Sequence, residues 1–358
     1  MNNLKIKSVY RDYYVYFDSN VHSLIEILRK KVKLHVIIDS TVYRLHKNRL
    51  SWIDLASTVI KINALEKNKD IESVQRIAKR LLQNNITKKD VIVVIGGGIT
   101  QDVGAFTANI LKRGIDWYFI PTTLLAMCDS CIGSKVGINM SGYKNQLGIF
   151  WPPNKIFIDI NFLETLEKID ILSGLGEIIK VHLIAGEKDF KKLEDKYSDI
   201  VTDFTLLKQF INRSLEIKKT IVEKDEFDIE YRHILNYGHT FGHSIEAYSN
   251  NEIPHGIGVS IGIDIANYIS MNKGYISANL FDRISNTIRK NIPYQSLEYK
   301  NFNKMEKFLK GDKKFDGSIL KVILCKGMGK IFIDKVKVNN ILLKLIDQYA
   351  ETYYSVKS

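Results

Sequence analysis

The sequence is short of cysteine, proline and histidine, and each shortage narrows the choices. Three cysteines in 358 residues cannot build a disulfide framework or a four-thiol zinc site. Cys128 and Cys131 form CDSC. A redox pair at that spacing needs one exposed thiol of lowered pKa, and zinc needs two further ligands from elsewhere. The alternative is two small residues packed beside a loop. Five prolines mark no long linker, so domains are expected to adjoin directly. No run of about 18 apolar residues occurs, so no membrane span and no membrane partner are expected. The opening MNNLKIKSVYRDYYVYF has no apolar core of a signal peptide, which points to the cytoplasm. Acidic residues are outnumbered, 40 against 52 basic ones, for a net charge of +12. That field favours an anionic partner, although a compositional bias towards lysine, isoleucine and asparagine explains it equally well. The lysines are dispersed, and no zinc-finger or RNA-binding aromatic pattern is present, so nucleic acid is not expected.

The length suits two domains, since a typical one runs to about 100–200 residues. In the first half, β-type runs (KLHVIIDS, DVIVVIGGG, IDWYFIPTT) alternate with helical patterns (SVQRIAKRLLQNN, DVGAFTANILKRG). This order predicts an α/β domain, Rossmann-like, with a parallel sheet. Helical patterns then dominate, through TDFTLLKQFINRSLEIKKTIVEK and GIGVSIGIDIANYISMNKG, with a late strand at LKVILCKG. The expected division is an α/β domain over residues 1–165 and a mainly α-helical domain over 166–358.

Four features carry chemistry. VIVVIGGGITQD runs a strand through glycines into a helix, which is either a phosphate cradle or a tight turn. Asp39, at a strand end, can accept from a ribose hydroxyl or cap a helix. In NYGHTFGHSIEAYSNNEIPHG, apolar residues at helical spacing predict one helix. Arg232, Asn236, His239 and His243 would form a polar stripe along it, with His239 and His243 at i, i+4 as a metal pair or an acid–base site, the alternative being core histidines bonded to carbonyls. Glu177 and Lys180 lie one turn apart in apolar text, so they are a surface ion pair or a buried carboxylate seeking a cation. Arg113, Lys135 and Lys144 stand in apolar or glycine-rich text, where they are either solvated basic residues or phosphate or carboxylate ligands.

Together GGGITQDVGAFTANILKRG, PTTLLAMCDSCIGSKVGIN, KNQLGIFWPP, GLGEIIK, RHILNYGHTFGHSIEA, the following HG and a late DKK resemble the 3-dehydroquinate synthase family of sugar-phosphate cyclases. The resemblance spans most of the chain. It implies an N-terminal nucleotide-binding domain, a C-terminal helical domain, a homodimer, NAD, and one divalent metal, zinc or cobalt. The implied reaction turns a sugar-acid phosphate, 3-deoxy-arabino-heptulosonate 7-phosphate, into 3-dehydroquinate. It runs through transient oxidation, β-elimination of phosphate, re-reduction and intramolecular aldol closure. By family position, Glu177, His239 and His255 become the metal ligands and His243 is released for proton or phosphate contacts. Asp39, Glu66, Lys69, Gly97, Gly98, Asp102, Thr122, Thr123, Lys135 and Lys144 match the NAD site, with Phe162 to Thr165 a further cofactor segment. Asp129, Lys135, Asn145, Lys180, Lys218, Arg232, Asn236 and Lys314 match the substrate pocket, and Arg113 a residue reaching the neighbouring subunit's phosphate. Lys218 and Arg232 suit a carboxylate; Asn236, Lys135, Asn145 and Lys314 suit a phosphate. Arg232 and Asn236, often altered in relatives that cyclise neutral sugar phosphates, favour the acid substrate. Some positions depart from the family: Ile257 replaces a glutamate after His255-Gly256, Ser134 a glycine, VGIN a T-A-V-N, and Asp228 a glutamate. These leave other substrates as alternatives (an amino analogue, sedoheptulose 7-phosphate or glucose 6-phosphate). Outside the cyclases, the alternatives are a metal-dependent polyol dehydrogenase and a degenerate binding protein.

Overall fold

Near-continuous apolar runs, too uniformly hydrophobic for a one-sided sheet, become the central strands of the first part of the chain. The computed structural model describes residues 3–17, 30–141, 143–250, 252–293, 309, 315–316 and 319–354. The elements begin with β1 (Asn3–Ile6), β2 (Tyr13–Phe17), β3 (Leu34–Asp39), α1 (Ser40–Leu45), β4 (Thr58–Ile62) and α2 (Ile71–Gln83). They continue with β5 (Val91–Gly96), α3 (Gly98–Ile110), β6 (Asp116–Pro121), β7 (Lys135–Met140), β8 (Tyr143–Phe150) and β9 (Lys155–Ile158). A seven-stranded sheet runs β1-β2-β9-β6-β5-β3-β4. Only the β1–β2 pair is antiparallel. Every residue of β5 is buried, as its central place requires. The expected parallel α/β sheet is present; the first strands, β1 and β2, and the antiparallel β7–β8 hairpin were not anticipated.

The later helices are α4 (Lys168–Ala185), α5 (Glu187–Ile200), α6 (Phe204–Val222), α7 (His239–Tyr248), α8 (His255–Asn272) and α9 (Ala278–Arg289). Strands β10 (Phe315–Asp316), β11 (Ile319–Cys325) and β12 (Ile331–Lys337) form a small sheet, followed by α10 (Asn340–Tyr354). No helix among the described residues is long and apolar enough to cross a membrane.

The chain forms two compact units, Met1–Glu167 with Lys218–Phe227, and Lys168–Ile217 with Asp228–Ser358. The sequence reading assigns 218–227 to the helical part, whereas these residues pack with the first unit. Glu226 explains the return. Its carboxylate accepts from the Ser8 hydroxyl at 2.6 Å, the Val9 N–H at 2.7 Å and the Ser134 hydroxyl at 2.7 Å.

In the second unit, α8 lies against α4 and α7 at backbone contact. A Cβ on Gly256 would fall 1.7 Å from the Ser173 carbonyl oxygen, and one on Gly262 would fall 2.0 Å from that of Gly238. Only glycine permits this approach. It sets the first residue of α8, His255, over the middle of α4.

Candidate active site

Glu177 sits in the middle of α4 and is 1% exposed. His255 Nε2 lies 3.1 Å from its Oε1, and His239 Nε2 lies 3.8 Å from the same atom. The three donor atoms lie within 4.8 Å of one another. Each histidine is held by its other nitrogen: Nδ1 of His239 by the Tyr237 carbonyl at 3.3 Å, Nδ1 of His255 by Glu246 Oε1 at 2.9 Å. With Nδ1–H donating, Nε2 is the nitrogen of each ring left to face the carboxylate. Lys180 pairs with Glu177 from one turn along and is 2% exposed. Both Glu177 oxygens are buried without well-directed hydrogen bonds, meeting their neighbours by charge. Burial works to raise the Glu177 pKa, but Lys180 and then His255 hold it well below the usual carboxylate range. Burial works to lower His255, yet Glu177 and Glu246 raise it to about 10. A buried, ionised carboxylate facing two imidazole Nε2 atoms, from which a cation displaces any proton, is a donor set that fits zinc or cobalt, with coordination positions left for substrate oxygens.

The polar stripe predicted along one helix does not form. Tyr231–Asn236 is a 3-10 turn, and α7 begins only at His239. The break is Gly238, in the left-handed region at φ +81°, where a Cβ would meet Ile263 and the Val259 carbonyl within 2.6 Å. The i, i+4 spacing of His239 and His243 survives within α7. His243 is exposed, with its ring 5.2 Å from that of His239 and 5.7 Å from that of His255. Arg232 is buried and Asn236 half-buried on the 3-10 turn, which packs on α4.

In the first unit, several predicted residues join one network. Lys69 Nζ pairs with Asp102 Oδ2 at 2.5 Å and donates to Asn145 Oδ1 at 2.8 Å. Asp102 Oδ1 accepts from the Gly137 N–H at 3.2 Å. Glu66 Oε1 accepts from Asn139, whose own Oδ1 accepts from the Asn145 N–H. Burial pushes the Asp102 carboxyl up, and Lys69 opposes it. The network ties the turn before α2, and α3, to the hairpin. Lys135 opens β7 and Lys144 lies near the start of β8, both exposed. Asn139, which links Glu66 to Asn145, escaped sequence reasoning because nothing local marks it.

The glycine triplet leads into α3. Gly97 is the N-cap, with no side-chain cap, and a Cβ on Gly98 would meet nothing within 4 Å. The open N–H groups and free space suit a diphosphate. The Thr122 hydroxyl is buried with no hydrogen-bond partner among the described residues, and Thr123 accepts from the Ala126 N–H at 3.2 Å. Asp39 caps α1, with Oδ1 accepting from the Thr41 N–H at 2.6 Å. Phe162 and Thr165 lie in a 3-10 turn braced by His46. Its Nε2 is 2.7 Å from the Thr165 hydroxyl, and its ring is edge-on to Phe162. His46 was missed, lying 119 residues from Thr165.

Asp129 lies in a π-helical turn, Ala126–Ser130, a form that often re-aims a functional side chain. Lys218 Nζ donates to its carbonyl at 2.6 Å and pairs with its Oδ1 at 2.8 Å. Cys128 and Cys131 are buried free thiols, and burial pushes Cys131 up to about 12, the reverse of redox activation. Arg113 is exposed in a turn after α3, at φ +60°. Ser134, standing where the family has glycine, is itself left-handed at φ +62°. Its hydroxyl bond to buried Glu226 offsets that conformational cost. Lys314 lies outside the described residues.

The solved structures similar to this chain define the class. A 2-deoxy-scyllo-inosose synthase complexed with carbaglucose-6-phosphate, NAD+ and Co2+ superposes with a TM-score of 0.85 at 24% identity, covering 97% of this chain and 100% of that one. The 2-epi-5-epi-valiolone synthase of Streptomyces hygroscopicus, with NAD+ and Zn2+ bound, gives 0.80 at 23%, covering 97% of each chain. The glycerol dehydrogenase of Schizosaccharomyces pombe gives 0.60 at 14%, covering 94% of this chain and 89% of that one. The fold is therefore that of the sugar-phosphate cyclases.

Sequence comparison goes further. Residues 59–173 match the 3-dehydroquinate synthase N-terminal model and residues 174–315 the C-terminal one. The 3-dehydroquinate synthase of Clostridium tetani is 33% identical over 348 residues, covering 94% of this chain and 92% of that one. That of a Thermoanaerobacter species is 36% identical over 347 residues, covering 93% and 96%. The chain belongs to the 3-dehydroquinate synthase family.

Proposed function

We propose that this chain is a 3-dehydroquinate synthase, a carbon–oxygen lyase that converts 3-deoxy-arabino-heptulosonate 7-phosphate into 3-dehydroquinate and phosphate without net oxidation. The observation that carries the reading is the Glu177, His239 and His255 donor set, in a chain 33–36% identical to enzymes of that name. The first unit would hold NAD, with its phosphates at the Gly97–Gly98 end of α3, its ribose at Asp39 and further contacts from Glu66, Lys69, Asp102, Thr122, Thr123, Lys144, Phe162 and Thr165. The second would hold zinc or cobalt on Glu177, His239 and His255. When bound, NAD supplies a reversible hydride acceptor and the metal a Lewis acid for substrate hydroxyls.

The chain's own residues supply charge and orientation. Lys180 and Arg232, both buried, offer cations for carboxylate or phosphate from the second unit, and Asn236 a neutral ligand. From the first unit, Lys218 is oriented by Asp129, while Lys135 and Asn145 stand on the hairpin. Such fixed groups need no reorganisation as the phosphate leaves. His243 is placed to shuttle a proton at its ring nitrogens. The exposed Arg113 supports a homodimer in which it serves the neighbouring subunit, and the setting is the cytoplasm.

The test is phosphate release from the heptulosonate phosphate by metal-loaded protein with catalytic NAD. Stoichiometric phosphate, dehydroquinate as product and no accumulating NADH are expected. Release only from an amino analogue, sedoheptulose 7-phosphate or glucose 6-phosphate would reassign the substrate. NADH accumulating on a polyol would make the chain a dehydrogenase.

A further inference from the structure

His255 is gripped at both ring nitrogens by carboxylates from two other helices: Glu177 of α4 at Nε2, 3.1 Å away, and Glu246 of α7 at Nδ1, 2.9 Å away. Glu246 is 8% exposed, and α8 makes room for it. A Cβ on Gly258 would stand 3.3 Å from Glu246 Cγ and 3.5 Å from its Oε1.

We propose that Glu246 is the positioning residue of the metal centre in this chain, through its hold on His255. The inference rests on the reading of Glu177, His239 and His255 as metal ligands. An anionic acceptor at Nδ1 fixes the tautomer, orients the ring and makes Nε2 the more basic donor. The other histidine shows the contrast. His239 leans on a neutral carbonyl at the longer distance of 3.3 Å. The anchor of His255 is charged.

The experiment is a competition titration of apo protein against a chromophoric chelator with Zn2+ and with Co2+, on wild type, Glu177→Ala, Glu246→Gln and Glu246→Ala. Thermal melts of the apo forms run beside it. Glu246→Gln keeps the shape and an oxygen acceptor but loses the charge. It is expected to bind about tenfold more weakly, beyond any change in the apo melting temperature, and Glu246→Ala up to about 100-fold more weakly. The Co2+ absorption bands should shift in both. Wild-type affinity and spectrum in Glu246→Gln, with binding lost in Glu177→Ala, would overturn the proposal. Unchanged binding in Glu177→Ala would instead overturn the metal reading beneath it.

Discussion

The two candidate sites are built on different principles. The second unit's donor set is assembled by helices in backbone contact, with Glu177 and Lys180 almost wholly buried. The first unit's polar network spans helices and a hairpin, and beside it the N-terminus of α3 opens onto free space. A close-packed site has its geometry before any ligand arrives, and its tolerance of change is small. An open glycine turn contributes little to packing and keeps room for a ligand instead. The same kind of substitution should therefore harm the two regions in different ways.

The largest effect is expected for Glu177→Ala. Metal affinity should fall by more than about 100-fold, beyond the range of a merely supporting residue. Lys180 is left buried without its counter-charge, which costs about 3–5 kcal/mol. Chelator titration and urea melts together check both, and retained affinity would remove the basis of the comparison.

Next comes Gly256→Ala, whose Cβ has 1.7 Å to the Ser173 carbonyl. Overpacking of this kind costs about 3 kcal/mol or more. It should lower the melting temperature of the apo protein and carry His255 off Glu177. A melt matching wild type would mean that the helices separate freely.

A third test uses acid. His182, buried in α4 with its Nδ1 donating to the Ile178 carbonyl, has its pKa lowered by burial to about 4. The unfolded imidazole takes up a proton near pH 6.5 and the folded one resists. Stability is thus full above about pH 6.5 and falls by about 3 kcal/mol as pH drops towards 4. Urea melts across that window should show a shallower decline in His182→Gln. An identical decline would place the acid sensitivity elsewhere.

The smallest stability effect belongs to Gly98→Ala. Its Cβ meets nothing within 4 Å, at the first residue of α3. Stability, followed by the thermal melt, should hold or rise slightly, by up to about 1 kcal/mol. NAD binding, followed by fluorescence titration, should weaken several-fold because the methyl group occupies the ligand's space. Unimpaired NAD binding would move the cofactor off the glycine turn.

These contrasts also explain what was legible in the sequence. The runs VIVVIG and DWYFIP become β5 and β6 because a buried parallel strand must be apolar throughout. Burial of the Glu177–Lys180 pair follows from the apolar text around it. The candidate metal triad did not follow from spacing, which favoured His239 with His243, since His255 belongs to another helix and only tertiary packing brings its nitrogen to Glu177. The break at Gly238 was hidden for a similar reason: the glycine answers to Val259 and Ile263, more than 20 residues away. The hairpin β7–β8 escaped notice because most of β8 is exposed and shows no alternation.

The return of residues 218–227 to the first unit has a consequence for how the molecule can be taken apart. The chain passes between its units three times, so a cut at one point cannot release either of them whole. A fragment ending at residue 167 would forfeit Glu226, the acceptor for Ser8, Val9 and Ser134. Its complement would carry Lys218 away from Asp129. The two halves are thus stitched rather than hinged in sequence, and recombination between relatives has to exchange them together or splice at several places at once.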